Sequence, residues 1–265
     1  MKLACQEGLA PGKSLGEKLE NLHKAGYEGI EFGGGGLVDR VREIKAALAS
    51  SPVKPATICA GYGGCPLDSD PAGRQRASDD IKRLLDAGGE IGVVGLVFVP
   101  IFGGPRIGDL SPWKSTIELE KDLLVKLLEG WADHAAKANT LVILEPLNGY
   151  ETHLIKKLAD AVDICERVNN PKGLKMMADF FHMELEEQNV AASIRAAGKW
   201  IAHVHLADHP RILPGYGNSD FKKGFAALKG IGYKNYMALE CGVPDPDKMV
   251  ALKKTAKFLK AQMKG

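Results

Sequence analysis

Short apolar runs alternate with longer amphipathic stretches from one end of the chain to the other. MKLACQ precedes SLGEKLENLHKAG, where Leu15, Leu19 and Leu22 recur at helical spacing, and GIEFG precedes LVDRVREIKAALAS. PATICA leads through a polar loop to a helix near residues 73–89, and VVGLVFVP leads through an insertion to a long helix from Ile117 to Ala138. LVILEP, LKMMADF, WIAHVHLAD and NYMALECG complete the strands. Helices near residues 153–168, 184–198 and 219–229 separate them, and a last helix runs from Asp247 to Gln262. The pattern gives about eight βα units of roughly 30 residues with no linker between them, which predicts one (β/α)8 barrel, a single domain over residues 1–265. A doubly wound open sheet competes, but the GxGxxG turn it would carry after the first strand is missing. The GGGG run at Gly33–Gly36 lacks the lysine and serine of a phosphate loop and reads as a permissive turn.

The chemistry lies where four of these runs end. LVILEP, LKMMAD, WIAHVHLAD and NYMALE break at their C-terminal ends into Glu145, Asp179, His205 and Glu240, and His182 follows Asp179 by three residues. An ionised carboxylate in an apolar core costs several kcal/mol or more unless it is paired or bound to a metal. In a parallel barrel the C-terminal ends of the strands gather at one mouth, so these residues converge on a shared site. Three carboxylates and one imidazole form an oxygen-rich donor set that suits one divalent ion, Mn(II) first, with Mg(II), Co(II) or Zn(II) as alternatives. Such an ion polarises a carbonyl and eases removal of the proton beside it, and Glu145 and Glu240 are placed to act as acid and base on the resulting enediolate.

Composition limits the partners. Lys and Arg total 35 against 33 Asp and Glu, with no basic block, so broad electrostatic binding to nucleic acid is not indicated. No run approaches the roughly 18 apolar residues of a membrane helix. Leu3-Ala4-Cys5 has no apolar stretch before it and is not read as a lipoprotein signal. Five cysteines without a CxxC pair point to reduced thiols and a cytoplasmic protein.

With these residues in place the chain resembles the xylose-isomerase-like barrel superfamily of sugar isomerases and epimerases, and within it the ketose 3-epimerase and hydroxypyruvate isomerase group. The resemblance implies that Glu145, Asp179, His205 and Glu240 hold the metal, and that the two Glu act on opposite faces of the substrate. It rests further on Asp179 with His182, on Glu145 followed six residues later by Glu151, and on His205 followed six residues later by Arg211. It implies that Glu151, His182 and Arg211 contact a small carbohydrate. Gly149 departs from the group, which often has a basic residue there. The resemblance is compatible with a homo-oligomer, though no residue indicates one.

Blander readings stand beside these. His203 and His134 read as hydrogen-bonded core residues, and Cys59 and Cys241 as small buried ones. Arg211 could pair with Asp208. The amides of Ile212–Gly217 could meet a phosphate or form an ordinary turn, and Trp113 could close over a sugar or pack the next helix. The function predicted is a divalent-metal-dependent sugar isomerase or epimerase acting on a keto-sugar or related polyhydroxy ketone. A dehydratase of the inosose or dehydroshikimate type begins with the same proton abstraction, and a non-catalytic sugar-binding barrel is a third reading. An apurinic-site endonuclease on this barrel would need further histidines, which CAGYGG, FVPIFGG and HPRILPGYG do not supply.

Overall fold

The computed structural model describes residues 1–264, and its strands close in sequence order into a parallel barrel. The strands are β1 (Lys2–Gln6), β2 (Gly29–Gly33), β3 (Lys54–Cys59), β4 (Leu96–Phe98), β5 (Val142–Leu144), β6 (Leu174–Asp179), β7 (Ile201–Leu206) and β8 (Tyr236–Leu239). Around them lie α1 (Leu15–Ala25), α2 (Leu37–Ala49), α3 (Pro71–Ile91), α4 (Thr116–Lys137), α5 (Leu158–Val168), α6 (Phe180–Glu186), α7 (Val190–Ala197), α8 (Phe221–Gly230) and α9 (Lys248–Gln262). Leu3, Ile30, Ile58, Leu96 and Leu144 face outward and pack with Leu19, Leu22, Ile44, Leu84 and Leu128 of the helices, all of them buried. Among the described residues no helix is long and apolar enough to cross a membrane.

Alternation along each strand decides what points into the barrel. Ala4 and Gln6 share one side of β1, and Ala238 continues into Glu240 just past β8. Ala4 pairs in register with Ala238, and the two belong to one small interior cluster. Val97, Ile143, Met177 and Ala202 form a second cluster, from which the same side of the strands runs on to Glu145 and Asp179. Small and apolar residues thus fill the barrel and the acids continue their rows upward.

Most predicted helices hold with ends shifted by one to three residues, as capping dictates. Ser115 accepts from the Glu118 amide while the Glu118 side chain accepts from the Ser115 amide, and this fixes the start of α4. Two segments differ more. The helix expected over 153–168 begins only at Leu158, because His153 and Thr152 are tied to the loop after β4. The Thr152 hydroxyl donates to the Ile101 carbonyl at 2.7 Å, and the His153 amide donates to the Gly103 carbonyl at 3.2 Å. The helix expected over 184–198 is two helices, since Asp179 caps α6 at Phe181 and Asn189 caps α7 at Ala192.

The glycine run is a turn, as expected. Gly36 has φ +68°, and a Cβ on Gly34 would lie 2.0 Å from the Ala60 carbonyl oxygen. Gly173 is tighter, because an added Cβ would lie 1.7 Å from the Ala132 carbonyl oxygen in α4. Neither partner is the end of a flexible side chain, so the helix itself would have to move. Gly173→Ala is therefore expected to destabilise the fold by about 1–3 kcal/mol or more, read as a lower urea midpoint at unchanged slope.

Candidate active site

Glu145 follows β5 directly, and its amide donates to the Phe98 carbonyl at 2.9 Å, which keeps the backbone in the barrel while the side chain turns inward. Asp179 ends β6 and begins α6. Its Oδ1 accepts from the Phe181 amide at 2.8 Å, so the helix cap leaves only Oδ2 to face the barrel mouth. His205 lies near the end of β7, and Glu240 follows β8. One donor atom from each of Glu145, Asp179, His205 and Glu240 lies within 4.8 Å of the others.

These donors are poorly satisfied by the protein. Among the described residues, Glu145 Oε1, Asp179 Oδ2 and His205 Nδ1 are buried and have no hydrogen-bond partner. His205 Nδ1 lies 3.6 Å from Glu145 Oε1 and 3.1 Å from Glu240 Oε2. Buried polar atoms are ordinarily partnered, so three orphans facing one point mark a missing ligand. The charges agree. Burial pushes the carboxyls of Glu145 and Asp179 above the usual range, with the Glu240 charge adding to it. Burial also acts to raise Glu240, but His205 and Arg211 overcome it and hold Glu240 low. Burial would depress the His205 imidazolium, yet Glu31 and Glu240 hold it well above its ordinary range. Such a surplus of acid is what a divalent cation neutralises, and the orphaned atoms fit one.

The predicted substrate residues stand around this cluster. His182 is buried. Its Nδ1 accepts from the Asn148 amide at 3.3 Å and faces the Asn148 side-chain nitrogen at 2.8 Å. That leaves the proton on Nε2, which lies 3.4 Å from Asp179 Oδ2 without a hydrogen bond between them and so is free to donate to a bound molecule. Burial and the nearby Arg211 charge keep this ring neutral. Arg211 does not pair with Asp208. Its guanidinium reaches Glu151 Oε1 and Glu240 Oε2, each at 2.9 Å, and stacks over Phe181 at 4.8 Å. Its backbone takes φ +84°, unusual for a residue with a side chain, held by donation from its amide to the Asp208 carbonyl at 2.6 Å. The Asp208 carboxylate instead accepts from the amides of Gly215, Gly217 and Ser219 at 2.8–3.0 Å. Within Ile212–Gly217 the amides of Gly215 and Gly217 go to this acid and those of Ile212, Leu213 and Tyr216 to backbone carbonyls, which is the turn reading rather than the phosphate one.

Other residues fall differently from expectation. His134 lies on α4, half-exposed and paired with Asp86 at 2.7 Å, rather than in the core. Cys59 is not merely a packing residue, since its Sγ approaches Glu240 Oε1 at 3.6 Å. Trp113 is 71% exposed, which leaves its ring largely in solvent rather than buried against the helix that follows. The residue that sequence reasoning missed is Glu31, fully buried in β2. It accepts from Thr57 Oγ1 at 2.5 Å and meets Nε2 of His203 at 2.9 Å and of His205 at 3.0 Å. His203 is thus the hydrogen-bonded core residue expected. The signal for Glu31 was present: an acid between Ile30 and Phe32 inside an apolar run.

A cavity of about 230 Å³ opens at the same end of the barrel, beside the ends of β3 and β4, lined by Tyr62, Pro66, Ile101, Phe102 and Arg106 among others. A larger hollow of about 680 Å³ lies outside, between α2 and α3, and shares no residue with the cluster. Its size does not make it the site.

The sequence matches the Xylose isomerase-like TIM barrel family over residues 19–262. The chain belongs to this family. It is 32% identical over 262 residues to the 3-dehydro-D-guloside 4-epimerase of Escherichia coli (strain K12), covering 98% of this chain and 99% of that one. The apo crystal structure of an E. coli 3-keto-D-glucoside 4-epimerase superposes with a TM-score of 0.89 at 29% identity, over 98% and 99% of the two chains. A D-psicose 3-epimerase of Enterocloster bolteae is 28% identical over 197 residues, 71% of this chain and 62% of that one. The protein is a sugar epimerase of this family with a buried site suited to a divalent metal.

Proposed function

We propose that the substrate is a hexoside oxidised to a ketone at carbon 3, that the reaction inverts carbon 4, and that the metal is Mn(II). The observation that carries this is the pair Glu145 and Glu240, brought by different strands to 3.6 and 3.1 Å from the same nitrogen, His205 Nδ1, in one metal-sized cluster. Similarity over nearly the full length of both chains to the 3-dehydro-D-guloside 4-epimerase favours a keto-glycoside over a free ketose. The D-psicose 3-epimerase match covers less of each chain.

Glu145, Asp179, His205 and Glu240 would hold the ion, and three oxygen-donor residues with one imidazole suit Mn(II). Bound there, a divalent cation acts as a Lewis acid, stabilising the negative charge that develops on the ketone oxygen. The hydrogen on carbon 4 lies between the ketone and that carbon's own hydroxyl. One of Glu145 and Glu240 removes it, and the other returns a proton to the opposite face. Glu151, His182 and Arg211 bind substrate oxygens, with His182 donating from Nε2 and Arg211 supplying a fixed positive charge beside Glu240. Phe102 and Tyr150, both exposed, offer apolar surface to the rest of a glycoside.

In heavy water, the metal-loaded protein is expected to wash one deuterium into carbon 4 of a 3-keto-glycoside as the epimer forms. Exchange confined to carbon 3 of free ketoses would replace the substrate assignment, and loss of water from the product would replace epimerisation by elimination.

A further inference from the structure

Beneath the four candidate ligands lies a second polar tier. Glu31 of β2 sits inside the barrel with no exposed surface, and Gln6, Thr57, His203 and His205 converge on its carboxylate. The Gln6 side-chain amide reaches Glu31 Oε1 at 3.0 Å and Glu240 Oε1 at 3.1 Å, joining the two acids. His205 Nε2 lies 3.0 Å from both Glu31 oxygens, while its Nδ1 is among the orphaned atoms of the upper cluster.

Glu31, His203 and His205 also form a group compact enough to hold an ion, but the contacts tell the two tiers apart. Neither Glu31 oxygen lacks a partner, whereas Glu145, Asp179 and His205 Nδ1 do. Four donors share the two carboxylate oxygens, about the number of lone pairs they carry. The Glu31 carboxylate is thus fully partnered, although Nδ1 of His203 beside it has no partner among the described residues, whereas the upper cluster leaves a donor atom open on three of its four members.

We propose that Glu31 is a positioning residue for the metal centre. It holds His205 in the tautomer with the proton on Nε2, so that Nδ1 presents its lone pair upward, and through Gln6 it fixes Glu240 Oε1. The proposal rests on the metal reading of the upper cluster. Metal-bound imidazoles commonly donate their other ring nitrogen to an acid, and loss of that acid typically weakens binding by about 10- to 100-fold. Gln at position 31 would keep one oxygen and turn an amide donor toward other donors, so even this near-isosteric change disrupts the tier.

The test is titration of metal-free parent and Glu31→Gln protein with Mn(II), followed by calorimetry. The expected result is a dissociation constant raised about 10- to 100-fold in the variant, with a parent-like circular dichroism spectrum. A constant within twofold of the parent would overturn the role of Glu31 alone. Failure of the parent to bind Mn(II), Co(II) or Zn(II) would overturn the metal reading and this proposal together. Should the variant not fold, nitrogen-15 spectra of the Zn(II)-loaded parent decide: a protonated Nε2 on His205 supports the proposal, and a protonated Nδ1 refutes it.

Discussion

Glu240→Gln is expected to lower the rate of epimerisation by roughly 10²- to 10⁴-fold, the usual scale for losing a positioned general acid or base. Glu240 is central in three ways. Its Oε2 lies 3.1 Å from His205 Nδ1 and 2.9 Å from Arg211, and its Oε1 takes the Gln6 amide at 3.1 Å. Gln retains the shape but cannot accept a proton from carbon, and it is a weaker ligand for a hard cation. The fold should survive, because Glu240 lies just past β8 and is itself only partly buried. The informative comparison is with Glu145→Gln, measured by product formation and by deuterium wash-in at saturating metal. If the two carboxylates serve opposite faces, both variants lose epimerisation, and the one that keeps its base on the substrate's own face still exchanges. Full exchange and full epimerisation in Glu240→Gln would assign the base elsewhere.

The barrel was readable because parallel strands covered on both sides by other structure run as apolar blocks, and such blocks recur at even spacing through this chain. The upper site was readable for the converse reason, since Glu145, Asp179 and Glu240 each end such a block with a charge. Glu31 satisfies the same criterion inside GIEFG but escaped it. The block is short, and although Gln6 and Thr57 lie on the neighbouring strands β1 and β3, its partners His203 and His205 lie on β7, far along the chain. Their convergence is a product of barrel closure, which residue spacing does not encode. The split of α6 from α7 was hidden differently. The break lies at Glu187, which leaves α6 in an extended conformation, and at Asn189, whose side chain turns to the Ala192 amide to start α7; apolar spacing reports neither. The Asp208 knot likewise needs four backbone amides folded around one carboxylate, and only the loop's conformation supplies them.

Removal of divalent metal is expected to abolish activity, and its return to restore it, with thermal stability moving in parallel. Without a cation, Glu145 and Asp179 are buried with unpartnered oxygens beside the low-pKa Glu240, and burial drives both toward protonation. A bound ion satisfies these atoms in the folded state only, so stability should rise with free metal by mass action. At one hundred times the dissociation constant the gain is about 2.7 kcal/mol. For a chain of this size that corresponds to a melting temperature higher by roughly 5–10 °C. Chelation should reverse the shift, and Mn(II) should restore more activity than Mg(II), because the imidazole of His205 is a better ligand for Mn(II) than for the harder ion. Scanning calorimetry at several metal concentrations checks the first point and reconstituted turnover the second. A melting temperature indifferent to Mn(II), Co(II) and Zn(II), together with epimerisation unaffected by chelator, would show that the orphaned carboxylates are satisfied in some other way and that the proton transfers proceed without a cation.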